Sequence, residues 1–206
     1  NINIFSLLEY FSLSITKNER SAGIALRSFY FKPMKKILII LSFLQLLIGS
    51  EIKEKTLQVI NNYYNQDIEI QESKFKIPKK VKKQIQNQIK QKFYRDQIYY
   101  WTIKIDNKIH YALMDNTLGK TMPITFLVIF NENKEVIHSS IIKYRESYGG
   151  EISGKNWLAQ FIGMKQDSLY KHGKEIDGIT GATLSVKSFT KGISKLSLLL
   201  PYIIAK

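Results

Sequence analysis

The sequence contains no cysteine, which excludes disulfide staples, thiolate zinc sites, iron-sulfur clusters, a cysteine nucleophile and a cysteine-borne lipid anchor. Any redox chemistry must therefore come from a bound cofactor. Proline (4) and glycine (11) are scarce in 206 residues, against a collagen-like or disordered chain. Carboxylates are also scarce: 17 Asp and Glu face 31 Lys and Arg, a formal charge of +14, so anionic partners come first, whether phosphate, nucleic acid or lipid head groups. Only three histidines occur, His110, His138 and His172, with no spacing to one another or to carboxylates that suits a metal. No Gly-x-Ser-x-Gly elbow is found, and no catalytic residue is assigned. What is present is a 44% hydrophobic, 12% aromatic chain, enough for one packed domain with appendages.

The longest apolar stretch, Ile37 to Ile48, follows Met34-Lys35-Lys36 and precedes Gly49-Ser50. A short cationic head, an apolar run and a small-residue exit are the pattern of a secretory signal peptide, and the run is shorter than the roughly 20 residues that cross a bilayer. Residues 34–50 are expected to be that leader, with an uncleaved anchor as the other reading. Residues 1–33 are expected to be a non-native upstream extension, leaving 51–206 as the folded domain. Within 51–206 there are 25 Lys and Arg and 15 Asp and Glu, so the basic balance belongs to that domain.

Apolar residues from Glu51 to Tyr64 recur at helical steps (Ile52, Val59, Tyr63; Leu57, Ile60, Tyr64). Val81, Ile85, Ile89 and Phe93 repeat every four residues after Pro78 and predict a second helix. The period then changes to that of strands: Tyr99 to Ile105, a turn at Asp106-Asn107, Ile109 to Met114, Ile124 to Phe130, a turn cluster at Asn131 to Lys134, and Val136 to Tyr144. Trp157, Phe161 and Ile162 return to helical spacing. A last helix is expected from near Ser185, with Pro201 ending it. The expected fold is α+β, a four-stranded antiparallel meander with helices packed on it.

The most informative stretch is Glu175-Ile-Asp177-Gly178-Ile-Thr180-Gly181-Ala182-Thr183-Leu-Ser185, a small-residue loop opening a helix. Bare backbone N–H groups and the helix dipole suit an anionic ligand there. It is neither a P-loop nor a dinucleotide fingerprint, and from spacing alone a plain loop with a capped helix remains the ordinary reading. The sequence Asp-Gly-Ile-Thr-Gly-Ala-Thr-Leu-Ser resembles the flavinylation motif of the FMN-binding domain family. That family includes subunits of the sodium-pumping NADH:quinone reductase and Rnf complexes and small stand-alone exported proteins. Gly119-Lys120, Tyr144-Arg145-Glu146, Gly149-Gly150-Glu151-Ile152 and Phe161-Ile162-Gly163 are similar to the stand-alone members. The chain has Glu146-Ser147-Tyr148-Gly149 where the large-complex subunits carry a Glu-Thr-Pro-Gly type of turn.

The resemblance implies an exported electron carrier whose FMN is joined through its phosphate to the Thr183 hydroxyl by a separate flavin transferase. It implies cofactor contacts at Asp177, Gly178, Thr180, Gly181, Ala182, Glu146, Gly149 and Gly150. Asp177 reads equally as a turn cap, and Gly149-Gly150 as an ordinary turn. Lys120 and Arg145 are cations available to phosphate or reduced flavin; Tyr144, Tyr148 and Trp157 are aromatics for which a core role is the ordinary one. Expected partners are the transferase and a membrane-bound donor or extracytoplasmic acceptor, at the periplasm or outer membrane face. The eight lysines from Lys74 to Lys92 suggest a solvated helix face, or docking to anionic lipid or an acidic redox partner; export argues against nucleic acid. The alternative function is a basic exported module that binds anionic lipid or polymer without flavin.

Overall fold

A computed structural model of the chain describes residues 51–165 and 175–205. The expected extension (1–33), leader (34–50) and His172 lie outside the described residues. The described part forms a five-stranded antiparallel sheet in the order β1-β2-β3-β4-β5: β1 Glu69–Lys76, β2 Gln97–Ile105, β3 Lys108–Leu118, β4 Pro123–Phe130 and β5 Val136–Lys143. Each strand pairs with its sequence neighbour, so the α+β meander is confirmed with one strand more than the sequence predicts. Strand β1 escapes periodicity because Phe75 alone is buried along it. It is an edge strand whose charged residues, Glu69, Glu72, Lys74 and Lys76, blunt it against further pairing.

The interior strand β4, between β3 and β5, is buried on both faces, which explains its continuous apolar run. Ile124, Phe126, Val128 and Phe130 face one core, while Leu127 and Ile129 face another. The hairpin between β2 and β3 turns through Asp106 and Asn107 with φ of 47° and 62°. Two residues with positive φ fit a turn whose twist matches the flanking strands.

One face of the sheet is covered by helix α1 (51–64), which buries Ile60 against Trp101, Ile103 and Leu127. The opposite face holds α2 (Lys79–Ile89) and α4 (Thr183–Ile204), with the short α3 (Lys155–Leu158) at the β5 edge. Helix α2 buries Val81, Ile85 and Ile89 as its spacing predicts but stops one turn short of the expected stripe: Lys90 turns left-handed (φ 54°), and Phe93 is buried from beyond the helix. The Trp157 region does not continue as one helix. It is α3 followed by a single 3₁₀ turn, Ala159–Phe161, so Trp157 and Phe161 point inward while Ile162 is exposed.

Helix α4 departs from expectation at both ends. It begins at Thr183 rather than Ser185, and it runs through Pro201 to Ile204. Proline inside a helix costs roughly 3 kcal/mol, but burial of a Leu or Ile side chain returns about 1.5–3 kcal/mol each. Leu199, Leu200 and Ile203 are all buried there, so packing outweighs the lost hydrogen bond. Gly192 lets the helix lie directly on β4, since a Cβ there would stand 2.7 Å from the Phe126 ring.

Candidate functional site

The loop that opens α4 meets the segment following β5. Gly149 adopts φ +79° and sits against Ala182: a Cβ on Gly149 would overlap the Ala182 Cβ and stand 3.0 Å from the Tyr144 hydroxyl. Two requirements therefore fix a glycine here, left-handed backbone and close approach. Tyr144 completes the turn by donating its hydroxyl hydrogen to the Tyr148 carbonyl at 2.6 Å. Tyr148 itself is 83% exposed. Gly150, next along, has nothing within 4 Å of where a Cβ would stand.

On the α4 side, Ala182 is buried and donates its N–H to Ile179 O at 3.0 Å, closing the turn before the helix. Gly181 has φ +78° with open space around it. Thr183 is the first helical residue, and its side chain lies on the exposed surface together with Thr180 and Gly178. The N-cap is Ala182, which has no side chain able to cap, and no side-chain hydrogen bond caps this end. The first turn thus combines uncapped N–H donors, the positive end of a 22-residue helix and an exposed hydroxyl between small residues.

Asp177 is exposed and held by its backbone: its N–H donates to Gln160 Oε1 at 2.9 Å, and its carbonyl accepts from Trp157 Nε1 at 3.0 Å. Trp157 stacks edgewise on Phe161, so the indole serves as a strut carrying the loop. Its core role is the one observed.

Glu146 braces a third segment. Its carboxylate accepts from the backbone N–H of Thr121 (2.7 Å) and Met122 (3.0 Å) and from the Thr121 hydroxyl (2.9 Å). These bonds, the Met122 N–H first, hold its carboxyl below the usual glutamate range. A Cβ on Gly119 would collide with the same carboxylate and stand 3.0 Å from Ser185 Oγ. Gly119, Glu146 and the first turn of α4 are thus packed together. Arg145 donates to Pro123 O (2.9 Å) and Thr125 Oγ1 (3.0 Å), tying the same segment to β4. Lys120 is exposed.

The structure therefore unites three sequence-distant pieces, 119–122, 144–150 and 177–185. It assigns Glu146 to bracing the 119–122 turn, and no hydrogen bond joins Glu146 or Asp177 to Thr183 among the described residues. Two features escape sequence reading. One is an ion pair between Lys195 and Asp115 at 2.8 Å, buried beneath α4. The signal was available, since Lys195 is the single charge among Ile193, Leu196, Leu198, Leu199 and Leu200. The other is a groove of about 520 Å³ between α1, β5 and α3, lined by Tyr63, His138, Ser139, Lys155 and Leu158 among others, none of them in the Thr183 loop. Among the described residues no cluster of His, Asp and Glu suits a metal ion, and no helix is long and apolar enough to cross a membrane.

The architecture fits an FMN phosphate: an exposed hydroxyl, small neighbours that leave access, and unpaired amide donors in the first turn. Comparison with known proteins agrees. A protein of Buchnera aphidicola (subsp. Acyrthosiphon pisum, strain APS), described as a subunit of an ion-translocating oxidoreductase complex, is 29% identical over 46% of this chain and 66% of its own length. The family model for the FMN-binding domain matches residues 119–197 of this chain, a stretch that holds the three united pieces and the strands β4 and β5 between them.

Proposed function

We propose that the protein is an exported flavoprotein that carries electrons, with FMN held covalently through its phosphate on Thr183 Oγ1. The observation that carries this reading is the exposed Thr183 hydroxyl at the uncapped head of α4, inside the stretch that matches the FMN-binding domain. A flavin transferase makes the link. The bond formed joins Oγ1 to phosphorus; the bond broken lies on the phosphorus of the flavin donor, whose leaving group departs as the hydroxyl proton is lost. Gly181 and Ala182 give the transferase clearance. Asp177, Gly178 and Thr180 present the loop, and the first-turn amides with the helix dipole balance the phosphate charge.

FMN supplies the redox chemistry. The chain's own residues do the positioning. The contact of Gly149 with Ala182 fixes where the loop stands, Gly150 leaves open space beside it, and Glu146 holds the neighbouring turn. Covalent attachment makes retention independent of affinity, which matters outside the cytoplasm where free flavin is dilute. The Buchnera relative, part of an ion-translocating oxidoreductase complex, supports a membrane-associated donor or an acceptor beyond the membrane as partner.

Co-expression with a flavin transferase tests the proposal. Intact mass is expected to rise by one FMN residue, and Thr183→Ala to abolish the increase. A colourless chain of unmodified mass from a transferase-competent host refutes it.

A further inference from the structure

The lysines of this protein are not distributed alike. Around the β1 and β4–β5 ends they are balanced: Lys53 pairs with Glu72, Lys104 with Glu69, Lys108 with Glu132 and Lys165 with Glu135. On the α2–α4 face the balance is poorer: among the described residues Lys82 pairs with Asp96 and the buried Lys195 with Asp115. Residues 73–95 and 178–205 contain no Asp or Glu at all. Lys80, Lys83, Lys90, Lys92, Lys187 and Lys191 are exposed there, and none has a carboxylate within ion-pair distance among the described residues.

Four of them, Lys90, Lys92, Lys187 and Lys191, sit on stretches of chain that lie together. The Gln91 amide donates to Ser188 O at 2.8 Å, and the Lys195 ammonium donates to Lys92 O at 3.1 Å, so residues 90–92 lie alongside α4. Along α4, Lys187 stands one turn from Thr183 and Lys191 one turn further, about 6 Å per step along the axis. The strip starts at the proposed attachment residue, runs down α4 and crosses to the end of α2.

Its size decides what it serves. A phosphodiester on Thr183 carries one negative charge and answers one lysine, leaving three of the four. Exposed like charges about 10 Å apart in water repel by roughly 0.4 kcal/mol per pair, so the fold tolerates the strip without needing it. Unbalanced charge of one sign beside a functional residue serves to attract and orient a partner of opposite sign. A lipid surface laid along it would cover the position from which electrons must leave. An acidic protein face docking at its α2 end leaves that position at the interface edge.

We propose that the strip of Lys90, Lys92, Lys187 and Lys191 docks the acidic face of a protein electron partner beside Thr183. This rests on the reading that Thr183 carries the flavin, but the docking surface can be tested apart from it. The probe is a strongly acidic [2Fe–2S] ferredoxin. Its reduced form passes one electron to the oxidised FMN of the full-length holoprotein, so ferredoxin is oxidised as the flavin is reduced.

The second-order rate constant should fall with rising ionic strength. The quadruple variant Lys90→Glu/Lys92→Glu/Lys187→Glu/Lys191→Glu should lower it at least tenfold at low salt, with the four Lys→Gln changes intermediate. A control of equal net charge, Lys55→Glu/Lys104→Glu/Lys108→Glu/Lys134→Glu, should stay within about twofold of the parent. Reduction by the cationic methyl viologen radical should not slow in either. Thr183→Ala, without flavin, should be retained on immobilised ferredoxin as strongly as the parent, and the strip variant should not. This arm decides docking even if intact mass shows Thr183 unmodified. Equal slowing in the two Glu variants, an unchanged rate in the strip variant, or loss of binding to phosphatidylserine vesicles with the ferredoxin rate intact overturns the proposal.

Discussion

Removing the ammonium of Lys195 tests how α4, the helix that carries Thr183, is fixed to the sheet. Lys195 and Asp115 have side chains only 0% and 3% exposed, 2.8 Å apart. Apart from that ammonium, Asp115 Oδ2 has no polar partner among the described residues, so the lysine is its sole compensation. The same ammonium donates to Lys92 O and lies 4.6 Å from the centre of the Phe93 ring. In Lys195→Met the carboxylate stays buried without a counter-charge and Lys92 O loses its donor. Breaking a buried pair from one side costs about 3–5 kcal/mol. At about 2–4 °C per kcal/mol for a chain of this size, that is a fall in melting temperature of roughly 6–20 °C. Asp115→Leu with Lys195→Met removes both charges, and such replacements run from neutral to about 4 kcal/mol stabilising. Thermal and urea unfolding of the two single variants and the double variant give the cycle. A single-variant loss below about 1 kcal/mol, or strict additivity of the two singles, refutes the assignment of this pair as the lock.

The remaining predictions concern the loop and its surroundings. Gly149→Ala combines φ +79° with a clash against Ala182, so it should lower both stability and flavin loading by intact mass. Gly150→Ala, with open space, should change stability by less than about 0.5 kcal/mol. Glu146→Gln should speed amide hydrogen exchange at Thr121 and Met122, the two N–H groups that its carboxylate accepts; unchanged exchange counts against the brace. Burial, with a smaller contribution from Lys155, depresses the His138 pKa below 6.5. The folded state thus disfavours protonation, and the stabilisation present above that value is lost as pH falls through the folded pKa. Wild type should lose more stability than His138→Gln between pH 7 and 5; parallel curves refute this.

Where one face of an element alone decides burial, the sequence was readable. The stripe of α2 as far as Ile89, the two-sided run of β4 and the Asp106-Asn107 turn each follow from local pattern, and the structure reproduces them. Strand β1 was not readable, because an edge strand with one buried residue carries no apolar alternation. Pro201 misled for the opposite reason: its local penalty is real, but tertiary burial of the residues around it is larger. At the site, the Thr183 loop was legible as a motif, yet its setting was not. That Gly119 makes room for the Glu146 carboxylate, or that Gly149 touches Ala182, depends on strands pairing at a register that no local spacing encodes.

The division of labour along α4 connects these points. From Gly192 to Leu200 every residue is buried, and the Lys195–Asp115 pair fixes a definite rotational setting of the helix on β3. A helix so held has a determined first turn. In the N-terminal half of α4, Thr183, Leu184, Lys187 and Lys191 are the exposed positions, and their direction is set by the buried half. A cofactor tethered at Thr183 would gain retention from the covalent bond, but a tether alone leaves orientation loose. Orientation would have to come from the rigid helix end, from the Gly149–Ala182 contact beneath the loop and from the turn braced by Glu146. The same logic predicts that a variant loosening α4 far from the loop, such as Lys195→Met, keeps its flavin by mass yet shows faster hydrogen exchange in residues 177–185 and a broadened flavin absorbance. If exchange in that loop is unchanged while the helix core is weakened, the loop is positioned independently of the buried pair and this connection is wrong.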